Sequence, residues 1–347
     1  MNAMTPAALK IAVILGGASS ERDVSVASAA QVVKALRSLG HTVCAVDTAT
    51  GVLSADQEQQ LFAAGVSAQA PKSLSGLGVL AEDPAAFFAH PALHNVDLVF
   101  IALHGGAGED GRLQALLELR GIPFTGSGVI GSACAMDKDI AKRLMRQAGV
   151  PTPNWLMAPV DAETVERTLG WPVVVKASKQ GSTVGLSVVR SPEALPAAIE
   201  EAFRHDDEVL VEQFIAGREL TVGILDGKPL AVGEIVLTRS EIFDYEAKYQ
   251  PGGALEVFPA ELSADETAQL QMLGAKVAQA LKLRDYCRVD FRRDASGGLW
   301  CLEANTLPGM TAMSLLPQSA GVSGISFPAL CQQICDIALK RERQRLA

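Results

Sequence analysis

Hydrophobic residues in the first third of the chain fall into short Val-, Ile- and Leu-rich runs separated by longer segments with helical spacing. The runs are KIAVILGG, HTVCAVD, DLVFIAL and IPFTGS, and the helical segments between them include residues 24–39 and GRLQALLELRG. This alternation is typical of a parallel sheet with helices on both faces. Residues 10–127 are therefore predicted to form a doubly wound α/β domain, with only a helix or two in the loosely patterned region 48–95.

The next segment has a mixed pattern in which strands flank a glycine-rich loop. DKDIAKRLMRQAG predicts a helix that ends at Gly149. Glycine is common directly after a helix, and the prolines of the following VPTPNW are typical just beyond a helix end. WPVVVKAS and LSVVR predict strands on either side of the loop KQGSTVG, and a helix is predicted over 192–203. The predicted strand EVLVEQFI then leads into the last part of the chain.

The last third of the chain is predicted to contain more strand than helix. Strands are predicted near RELTVGIL and PLAVGEIVL, followed by the polar segment TRSEIFDYEAKYQPGGA, a helix over 264–281 and a closing helix from Phe327. A chain of 347 residues is long for one core, so several domains are expected. We expect three, at 1–127, 128–211 and 212–347, with the last two forming a pair of β-rich lobes.

A predicted hairpin near the C-terminus places polar residues together on one face. CRVDFRRDASGGLWCLEAN contains two alternating strands joined by a turn at 295–298. That turn places Asp290 opposite Glu303 and Arg288 opposite Asn305, whereas a shift by one residue would pair polar with apolar positions. The opposite face is predicted to be core, with the pairs Phe291–Leu302 and Val289–Ala304 and with Trp300.

The facing acids of this hairpin predict a cation site. Two carboxylates directly opposite each other on a ladder repel, and they are tolerated when they share a proton or a cation. Oxygen ligands from Asp290, Glu303 and Asn305, with no His or Cys nearby, suit a hard cation such as Mg²⁺ or Mn²⁺. The alternative is a solvated hairpin face on which Arg288 neutralises one of the acids.

Composition narrows the class of protein. Hydrophobic residues make up 48% of the chain and charged residues 20%, as in ordinary globular proteins. The net charge of -9 argues against nucleic acid as a partner, because phosphate backbones need a basic surface. The six cysteines include no C-x-x-C pair and no apolar run approaches membrane-spanning length. We therefore expect a cytoplasmic protein with reduced thiols and no membrane partner.

The loop SKQGSTVGLS is a candidate anion site. Gly181 and Gly185 let backbone amides approach a phosphate closely, and Lys176 at the end of the preceding strand adds a cation. Most glycine-rich hairpins are only turns, so the signal is weak by itself. Lys138 and Lys142 begin the helix before this loop, and the alternative for them is a solvated helix face.

A second glycine motif matches a dinucleotide fingerprint by spacing. Gly106, Gly108 and Gly111 in HGGAGEDG satisfy G-x-G-x-x-G between a predicted strand and helix. Glu109 and Asp110 would repel a pyrophosphate, and the following strand IPFTGS lacks the acid that would hold a ribose. A dinucleotide site is therefore disfavoured.

Eight motifs spread over nearly the whole chain carry a family resemblance. They are GGASSERDVS, ALHGGAGEDG, TGSGVIGSACAMDK, VVKASKQGSTVG, VEQFIAGRELTV, DYEAKY, CRVDF and LEANTLPGMT. In this order they resemble the D-alanine:D-alanine ligases of the ATP-grasp superfamily. Each motif is modestly specific alone, and the ordered set is strongly specific. The resemblance implies an N-terminal Rossmann-like, pre-ATP-grasp domain that binds substrate, followed by a two-lobed ATP-grasp module.

The resemblance also implies how ATP and metal would bind. The phosphate contacts would be Lys138, Lys176 and Lys248, the adenine contacts Glu212 and the backbone near Ile215, and the ribose contact Glu219. Asp290, Glu303 and Asn305 would hold two Mg²⁺ or Mn²⁺ ions. Lys248 would lie on a lid at about 238–253.

The implied reaction has two steps, in which the γ-phosphate moves to the carboxylate of one D-alanine and the amine of a second attacks the acyl phosphate. Arg288 would offset charge on the transferring phosphoryl group, and the Gly309 amide would hold the tetrahedral oxyanion. The other implied residues are Glu21 for the first ammonium, His104 close by, Ser314 and Leu315 for the second substrate, and Ser182 with Tyr249 for lid closure. A closed lid would exclude water from the acyl phosphate. From the residues alone, Glu21 could instead be a helix-start acid and His104 a loop histidine.

The implied product is D-alanyl-D-alanine for peptidoglycan, made by a cytoplasmic homodimer without nucleic acid or membrane partners. Tyr249 favours the dipeptide, because relatives that make a D-alanine:D-lactate ester typically carry Phe there. An ATP-grasp ligase that joins D-alanine to D-lactate or D-serine stays open as an alternative. The other candidates are a dinucleotide-dependent oxidoreductase and a non-catalytic nucleotide sensor, and the intact Asp290, Glu303, Asn305 and Arg288 set speaks against the sensor.

Overall fold

The computed structural model describes residues 8–17, 19, 21–63, 80, 83–237 and 253–346. The strands are β1 (Lys10–Leu15), β2 (Thr42–Asp47), β3 (Gly51–Val52), β4 (Leu98–Ile101), β5 (Trp155–Met157), β6 (Val173–Ala177), β7 (Ser187–Val189), β8 (Val209–Gln213), β9 (Arg218–Leu225), β10 (Lys228–Leu237), β11 (Ala254–Val257), β12 (Tyr286–Arg293) and β13 (Leu299–Asn305). The helices are α1 (Arg22–Ser38), α2 (Ala55–Phe62), α3 (Pro84–Ala89), α4 (Arg112–Leu119), α5 (Val129–Met136), α6 (Lys138–Gln147), α7 (Ala162–Thr168), α8 (Leu195–Phe203), α9 (Ala264–Ala280), α10 (Leu315–Val322) and α11 (Phe327–Leu346).

The chain packs into two compact units. The first unit comprises Met1–Gly108, Arg112–Gly126 and Leu307–Ala347, and the second comprises Glu109–Gly111 and Ser127–Thr306. The three-part division predicted from the sequence had assigned 307–347 to the C-terminal lobe. These residues instead belong to the first unit, because α11 packs against α1 and β4 and buries its apolar face there. The boundaries between the predicted lobes stay predictions.

The first unit is built on a four-stranded sheet in the order β3-β2-β1-β4. β1 is parallel to both β2 and β4, and the short edge strand β3 is antiparallel to β2. The central strand β1 is buried along nearly its whole length, which explains its continuous apolar sequence IAVIL. The predicted parallel α/β domain is confirmed. The predicted strand IPFTGS is not a strand, because only Phe124 forms a parallel bridge, to Val99.

The second unit contains two antiparallel sheets. The five-stranded sheet has the order β11-β10-β9-β12-β13, and the four-stranded sheet has the order β5-β8-β6-β7. Apolar side chains of α6 and α9 share one core with β9, β12 and β13. A separate core contains apolar side chains of α7, α8, β6 and β8. Two β-rich lobes with separate cores match the ATP-grasp architecture that the resemblance implied.

The hairpin β12–β13 confirms part of the predicted register and corrects the rest. Asp290 pairs with Glu303 and Arg288 with Asn305, as predicted, but Phe291 pairs with Cys301 because the register shifts after Asp290. The extra residue on β13 is a β-bulge, and it moves the core positions by one. The prediction that Trp300 and Leu302 belong to the core was therefore wrong, whereas Val289 pairs with Ala304 as predicted. The β13 residues in the core are Leu299, Cys301 and Ala304.

Three helices were not predicted, and two of them contain residues that usually interrupt helices. α5 includes Gly131, where a Cβ atom would lie 2.7 Å from the carbonyl oxygen of Lys282. α10 contains Pro317 in its first turn, where the missing N–H would be unpaired in any case. The third, α7, is a short surface helix capped by Asp161. Among the described residues, no single helix is long and apolar enough to cross a membrane, and only the bent pair α10 and α11 reaches that length and composition together.

Candidate active site

The second unit contains a deep pocket with walls from both of its sheets. The pocket encloses about 870 Å³ of space, part of it open to solvent. Its lining brings together eight of the residues implied by the resemblance, namely the apolar Ile215 and the polar Lys138, Lys176, Ser182, Glu212, Glu219, Asp290 and Glu303. Its apolar lining comes from Val174, Ala177, Val184, Leu186, Phe214 and Leu302. A cavity with apolar walls and a few convergent charged groups is typical of a small-molecule site.

One wall of the pocket contains a buried cluster of one carboxylate and two ammonium groups. Glu212 on β8 pairs through Oε1 with Lys176 Nζ at 2.8 Å and through Oε2 with Lys142 Nζ at 2.5 Å. Burial opposes ionisation of Glu212, but the charges of Lys142 and Lys176 outweigh it and hold its pKa below the usual value. The carboxylate is therefore ionised, and the cluster carries one net positive charge while both lysines are protonated.

Lys142 was not a predicted site residue, and the solvated face considered for it is wrong. Its side chain is 1% exposed, and Nζ donates to Thr152 Oγ1 at 2.7 Å and lies 5.2 Å from the centre of the Trp155 ring. Burial lowers the pKa of Lys142 to about 8, against the opposing attraction of Glu212. A Lys four residues after Lys138 on one helix was the signal for this position, but its burial depends on the strands packed against that helix.

Lys138, at the start of α6, points toward the glycine-rich loop. Its Nζ donates to the carbonyl oxygen of Gln180 at 2.6 Å and lies 3.7 Å from Glu303 Oε2. The Lys138 side chain is 11% exposed. Lys138 therefore places a positive charge between the loop and the hairpin acids.

A buried arginine that the sequence analysis missed lies beside the predicted ribose contact. Arg292 on β12 pairs with Glu219 at 2.8 Å and donates to the carbonyl oxygen of Gly217 at 3.1 Å. Both charged side chains are less than a tenth exposed. Arg292 and Glu219 are register partners on the adjacent strands β12 and β9, so sheet pairing positions the ion pair.

Asp290 accepts hydrogen bonds from three neighbouring side chains. Arg288 forms a bidentate pair with Asp290, in which Nε donates to Oδ1 at 2.9 Å and Nη2 donates to Oδ2 at 2.8 Å. Thr221 donates to Oδ1 at 2.7 Å, and Asn305 Nδ2 lies 2.9 Å from Oδ2. Arg288 thus neutralises one of the two facing acids, as in the alternative considered for this hairpin.

The second facing acid, Glu303, lines the pocket, with its side chain 32% exposed. Among the described residues, no group of three or more His, Cys, Asp or Glu side chains is arranged to hold a metal ion. A cation bound at this hairpin would therefore depend on the two carboxylates and the amide oxygen of Asn305.

The loop between β6 and β7 covers the pocket in a strained conformation. Ser182 and Thr183 have φ angles of 47° and 61°, in the left-handed region that non-glycine residues seldom adopt. Lys179 attaches the loop to the acidic segment that precedes β8, and its Nζ lies 2.6 Å from Asp207 Oδ1. Consecutive residues held in this conformation aim backbone amides toward one side, an arrangement typical of phosphate-binding loops.

The first unit brings together the residues predicted for the amino-acid substrate. Glu21 precedes α1, and its Oε2 lies close to Gly105, the residue after His104. Ser19 Oγ donates to the carbonyl oxygen of His104 at 2.6 Å and accepts from the backbone N–H of Glu21 at 3.2 Å. The loops after β1 and β4 are therefore joined at the carboxyl ends of parallel strands, where α/β folds commonly bind ligands.

His104 connects these loops to the segment that carries Gly309. Its Nδ1 lies 2.8 Å from the carbonyl oxygen of Leu307, which can only accept, so Nδ1 carries the proton. Its Nε2 lies 3.0 Å from Ser28 Oγ, which accepts from the backbone N–H of Met310 at 3.1 Å. His104 is 6% exposed and is hydrogen-bonded at both ring nitrogens.

Ser314 lies directly beside Gly309. A Cβ atom at residue 309 would lie 2.8 Å from Ser314 Oγ. Ser314 is the N-cap residue that precedes α10, and its Oγ accepts from the backbone N–H of Thr311 at 3.1 Å. Leu315, the other predicted contact, is buried as the first residue of that helix.

Two predicted site residues lie outside the described residues. Lys248 and Tyr249 belong to 238–252, so their predicted contacts and the predicted lid stay predictions.

Two of the three glycines of the dinucleotide-like motif have packing explanations. A Cβ at Gly108 would lie 2.7 Å from that of Leu103, and one at Gly111 would lie 2.9 Å from the carbonyl oxygen of Val129. Glycine at these places therefore allows close packing and is not evidence for a pyrophosphate site.

Comparison with protein families matches both parts of the chain. Residues 10–127 match the model described as D-ala D-ala ligase N-terminus, and residues 144–336 match D-ala D-ala ligase C-terminus. The curated D-alanine--D-alanine ligase of Trichlorobacter lovleyi is 42% identical over 335 residues, which cover 95% of this chain and 96% of the relative.

Solved structures show the same similarity. A D-alanine--D-alanine ligase from Bacillus anthracis complexed with ATP superposes with a TM-score of 0.77 at 31% identity, covering 97% of this chain and 99% of the other. The VanG D-Ala:D-Ser ligase from Enterococcus faecalis superposes with a TM-score of 0.76 at 29% identity, covering 95% and 99%.

Proposed function

This chain belongs to the D-alanine–D-alanine ligase family, and from that premise we propose that it joins two D-alanines in an ATP-dependent, ADP-forming reaction for peptidoglycan synthesis. The observation that carries the proposal is the pocket of the second unit, where the buried cations Lys138, Lys176 and Arg292 line the same space as the acids Asp290 and Glu303. Arg288 pairs with Asp290 at 2.8 Å. A site that transfers a phosphoryl group needs cations for the phosphates and carboxylates for a metal ion.

We propose that ATP occupies this pocket with its triphosphate near Lys138 and Lys176. The loop amides at 181–185 would add hydrogen bonds to the phosphates. The apolar walls suit the adenine ring, with Glu212 and the backbone at Ile215 as its polar contacts and Glu219 as the ribose contact. Lys248 would reach the phosphates from the predicted lid.

The residues of the hairpin fit a hard divalent cation by their chemistry. Two carboxylates and an amide oxygen match the oxygen ligands that Mg²⁺ and Mn²⁺ prefer, and facing acids with only partial neutralisation favour added positive charge. Asp290, Glu303 and Asn305 would hold two ions, which would supply positive charge to offset the phosphate oxygens. Asp290 already accepts from Arg288, Thr221 and Asn305, so binding a metal requires it to give up or share at least one of these hydrogen bonds.

The proposed chemistry proceeds through an acyl phosphate. A carboxylate oxygen of the first D-alanine bonds to the γ-phosphorus while the bond to the β-phosphate oxygen breaks, and ADP leaves. The amine of the second D-alanine then attacks the acyl carbon, gives up a proton, and displaces inorganic phosphate. Arg288, which is held in place by Asp290, would offset charge on the transferring group.

The first unit would supply the amino-acid contacts. Glu21 would bind the ammonium of the first D-alanine, Ser314 and Leu315 would hold the second, and the Gly309 amide would stabilise the tetrahedral oxyanion. The double hydrogen bonding of His104 supports a role in holding the segment with Gly309 beside the loops after β1 and β4. Ser182 and Tyr249 would close the lid over the reactants.

The identity of the second substrate distinguishes a D-alanine:D-alanine ligase from a ligase that joins D-alanine to D-serine or D-lactate. One solved structure that this chain resembles is described as a D-Ala:D-Ser ligase, which supports keeping D-serine as an alternative second substrate. Tyr249 favours D-alanine over D-lactate. We further propose that the enzyme is a cytoplasmic homodimer with small-molecule substrates only.

The proposal is tested by ADP release with Mg²⁺-ATP and D-alanine, with products identified by mass. Parallel reactions contain L-alanine, D-alanine with D-lactate, D-alanine with D-serine, or no amino acid. Release that depends on D-alanine and gives only the dipeptide supports the proposal. A mixed product would move the assignment to the alternative ligase, and release without any amino acid would contradict a ligase.

A further inference from the structure

Lys142 is a buried cation close to the pocket that has no part in the function proposed above. It does not line the pocket, and it lies behind the wall formed by Glu212 and Lys176. The two carboxylate oxygens of Glu212 are divided between the two lysines, Oε1 for Lys176 and Oε2 for Lys142. Because both lysines share one carboxylate, the cluster keeps one positive charge that Glu212 does not cancel.

The elements around Lys142 hold the ammonium in one place. Thr152 accepts a hydrogen bond from it, the Trp155 ring lies 5.2 Å away, and Trp155 is the register partner of Glu212 across β5 and β8. Arg146, on the same helix as Lys142, stacks over the same ring at 4.4 Å. A cation fixed in this way in a water-poor surrounding acts on nearby charges over a longer range than a cation at the surface.

We propose that Lys142 is a positioning residue for the nucleotide phosphates, which balances Glu212 so that Lys176 keeps its positive charge available to an anionic ligand. Without Lys142, Glu212 and Lys176 form a neutral pair, and Lys176 offers the ligand much less attraction. The inference rests on the proposed nucleotide-binding function, because the ligand must carry phosphate. It gives Lys142 no contact with substrate.

The pH dependence of binding follows from the same arrangement. The charged and titratable groups that face Lys142 are Glu212 on β8, Lys176 on β6 and Cys301 on β13. Burial raises the pKa of Cys301 well above its usual range, so this thiol stays neutral to high pH. Glu212 stays ionised, because its pKa is lowered. Burial lowers the pKa of Lys142 to about 8, so Lys142 loses its positive charge as the pH rises through this value.

The test compares Mg²⁺-ADP and adenosine as ligands in isothermal titration calorimetry. The proteins are the wild type, Lys142→Met, Lys142→Arg, and the control Arg143→Met, which removes an exposed cation from the same helix. Lys142→Met should weaken ADP binding about tenfold at pH 7.5, equivalent to about 1.4 kcal/mol. Adenosine carries no phosphate, so its affinity should change less than about twofold. Lys142→Arg and Arg143→Met should bind ADP nearly as the wild type does.

A pH series from 7.5 to 9 gives a second, independent readout. Wild-type affinity for ADP should fall as pH rises through about 8, while Lys142→Arg should show no such fall, because its guanidinium stays protonated. This arm needs only the wild type and the conservative variant, so it decides the question even if Lys142→Met does not fold.

Each outcome decides between the alternatives. If the wild type does not bind Mg²⁺-ADP, the proposed nucleotide function fails before Lys142 is considered. If the wild type binds and Lys142→Met binds equally well, or loses adenosine and ADP to the same extent, the phosphate-positioning role is wrong. A wild-type affinity that is constant from pH 7.5 to 9 overturns it as well.

Discussion

At the level of single residues, the proposed reaction depends most on the two facing acids of the β12–β13 hairpin. Glu303→Gln keeps the size of the side chain and removes its charge. If Glu303 is a metal ligand for phosphoryl transfer, D-alanine-dependent ADP release should fall by about 100-fold or more. Steady-state ADP assays check this, with the exposed Glu163→Gln as control. Near-normal turnover in Glu303→Gln would contradict the metal assignment.

The lowered pKa of Lys142 predicts that the unfolding free energy of the protein depends on pH. Its pKa is about 8 in the folded protein against 10.5 for an unburied lysine, so the unfolded chain binds more protons between those values. The penalty for burying the charged form is complete below pH 8 and is relieved as pH rises toward 10.5. The unfolding free energy of the wild type, relative to Lys142→Met, should therefore increase by about 2 kcal/mol between pH 7.5 and 10.

Urea denaturation of both proteins at the two pH values measures this difference. Subtracting the variant removes contributions from other groups that titrate in the same range. A difference between wild type and variant that does not change with pH would show that Lys142 has an ordinary pKa.

The sequence was informative about residue types and less so about their surroundings. Glu212, Glu219 and Asp290 could be identified because their motifs resemble a family, and the structure places all three on one pocket. Arg292 is one of two consecutive arginines after Phe291, and nothing in the local sequence distinguishes it. Its ion-pair partner, Glu219, is far away in the chain. Long-range ion pairs of this kind have no local sequence signal.

At the scale of elements, the glycine at the start of β9 should matter more than the one at its end. Gly217 has a φ of 137°, and a Cβ there would lie 2.1 Å from the carbonyl oxygen of Arg293. Gly227 has a φ of 72°, with no atom within 4 Å of its Cβ position. Gly227→Ala should therefore cost about 1 kcal/mol from backbone strain, and Gly217→Ala at least about 3 kcal/mol because the backbone must also move.

Chemical denaturation of the two variants gives the comparison directly. Since the carbonyl oxygen of Gly217 also accepts from Arg292, only Gly217→Ala should weaken nucleotide binding as well. Equal losses of unfolding free energy in the two variants would contradict this prediction, because the clash with the Arg293 carbonyl oxygen would then add nothing to the backbone strain.

Strand pairing was predicted correctly where apolar and polar residues alternate without interruption, and incorrectly where a bulge breaks the alternation. The alternation of polar and apolar residues around Asp290 and Glu303 was sufficient to predict that these two residues pair. A register shifted by one residue would have placed charged side chains in the core. The bulge after Asp290 inserts a residue without changing the composition of either strand, so Leu302 appeared to belong to the core and instead lines the pocket. Bulges at functional sites re-aim side chains in this way.

At the scale of the whole molecule, the order of motifs predicted the family and the architecture, but not which parts of the chain pack together. The segment 307–347 follows the hairpin in sequence yet belongs to the first unit, where α11 packs on α1. That packing depends on complementary apolar faces far apart in the chain, which one sequence does not reveal. The predicted substrate residues after 306 therefore share a unit with Glu21 and His104.

The central claim is that the chain activates a D-alanine carboxylate with ATP before ligation. The most direct test uses D-alanine labelled with ¹⁸O in both carboxylate oxygens, together with Mg²⁺-ATP, and analyses the inorganic phosphate and dipeptide by mass spectrometry. If an acyl phosphate forms, each phosphate released carries one ¹⁸O and the peptide carbonyl keeps the other. Dipeptide formed with unlabelled phosphate would contradict the acyl-phosphate route.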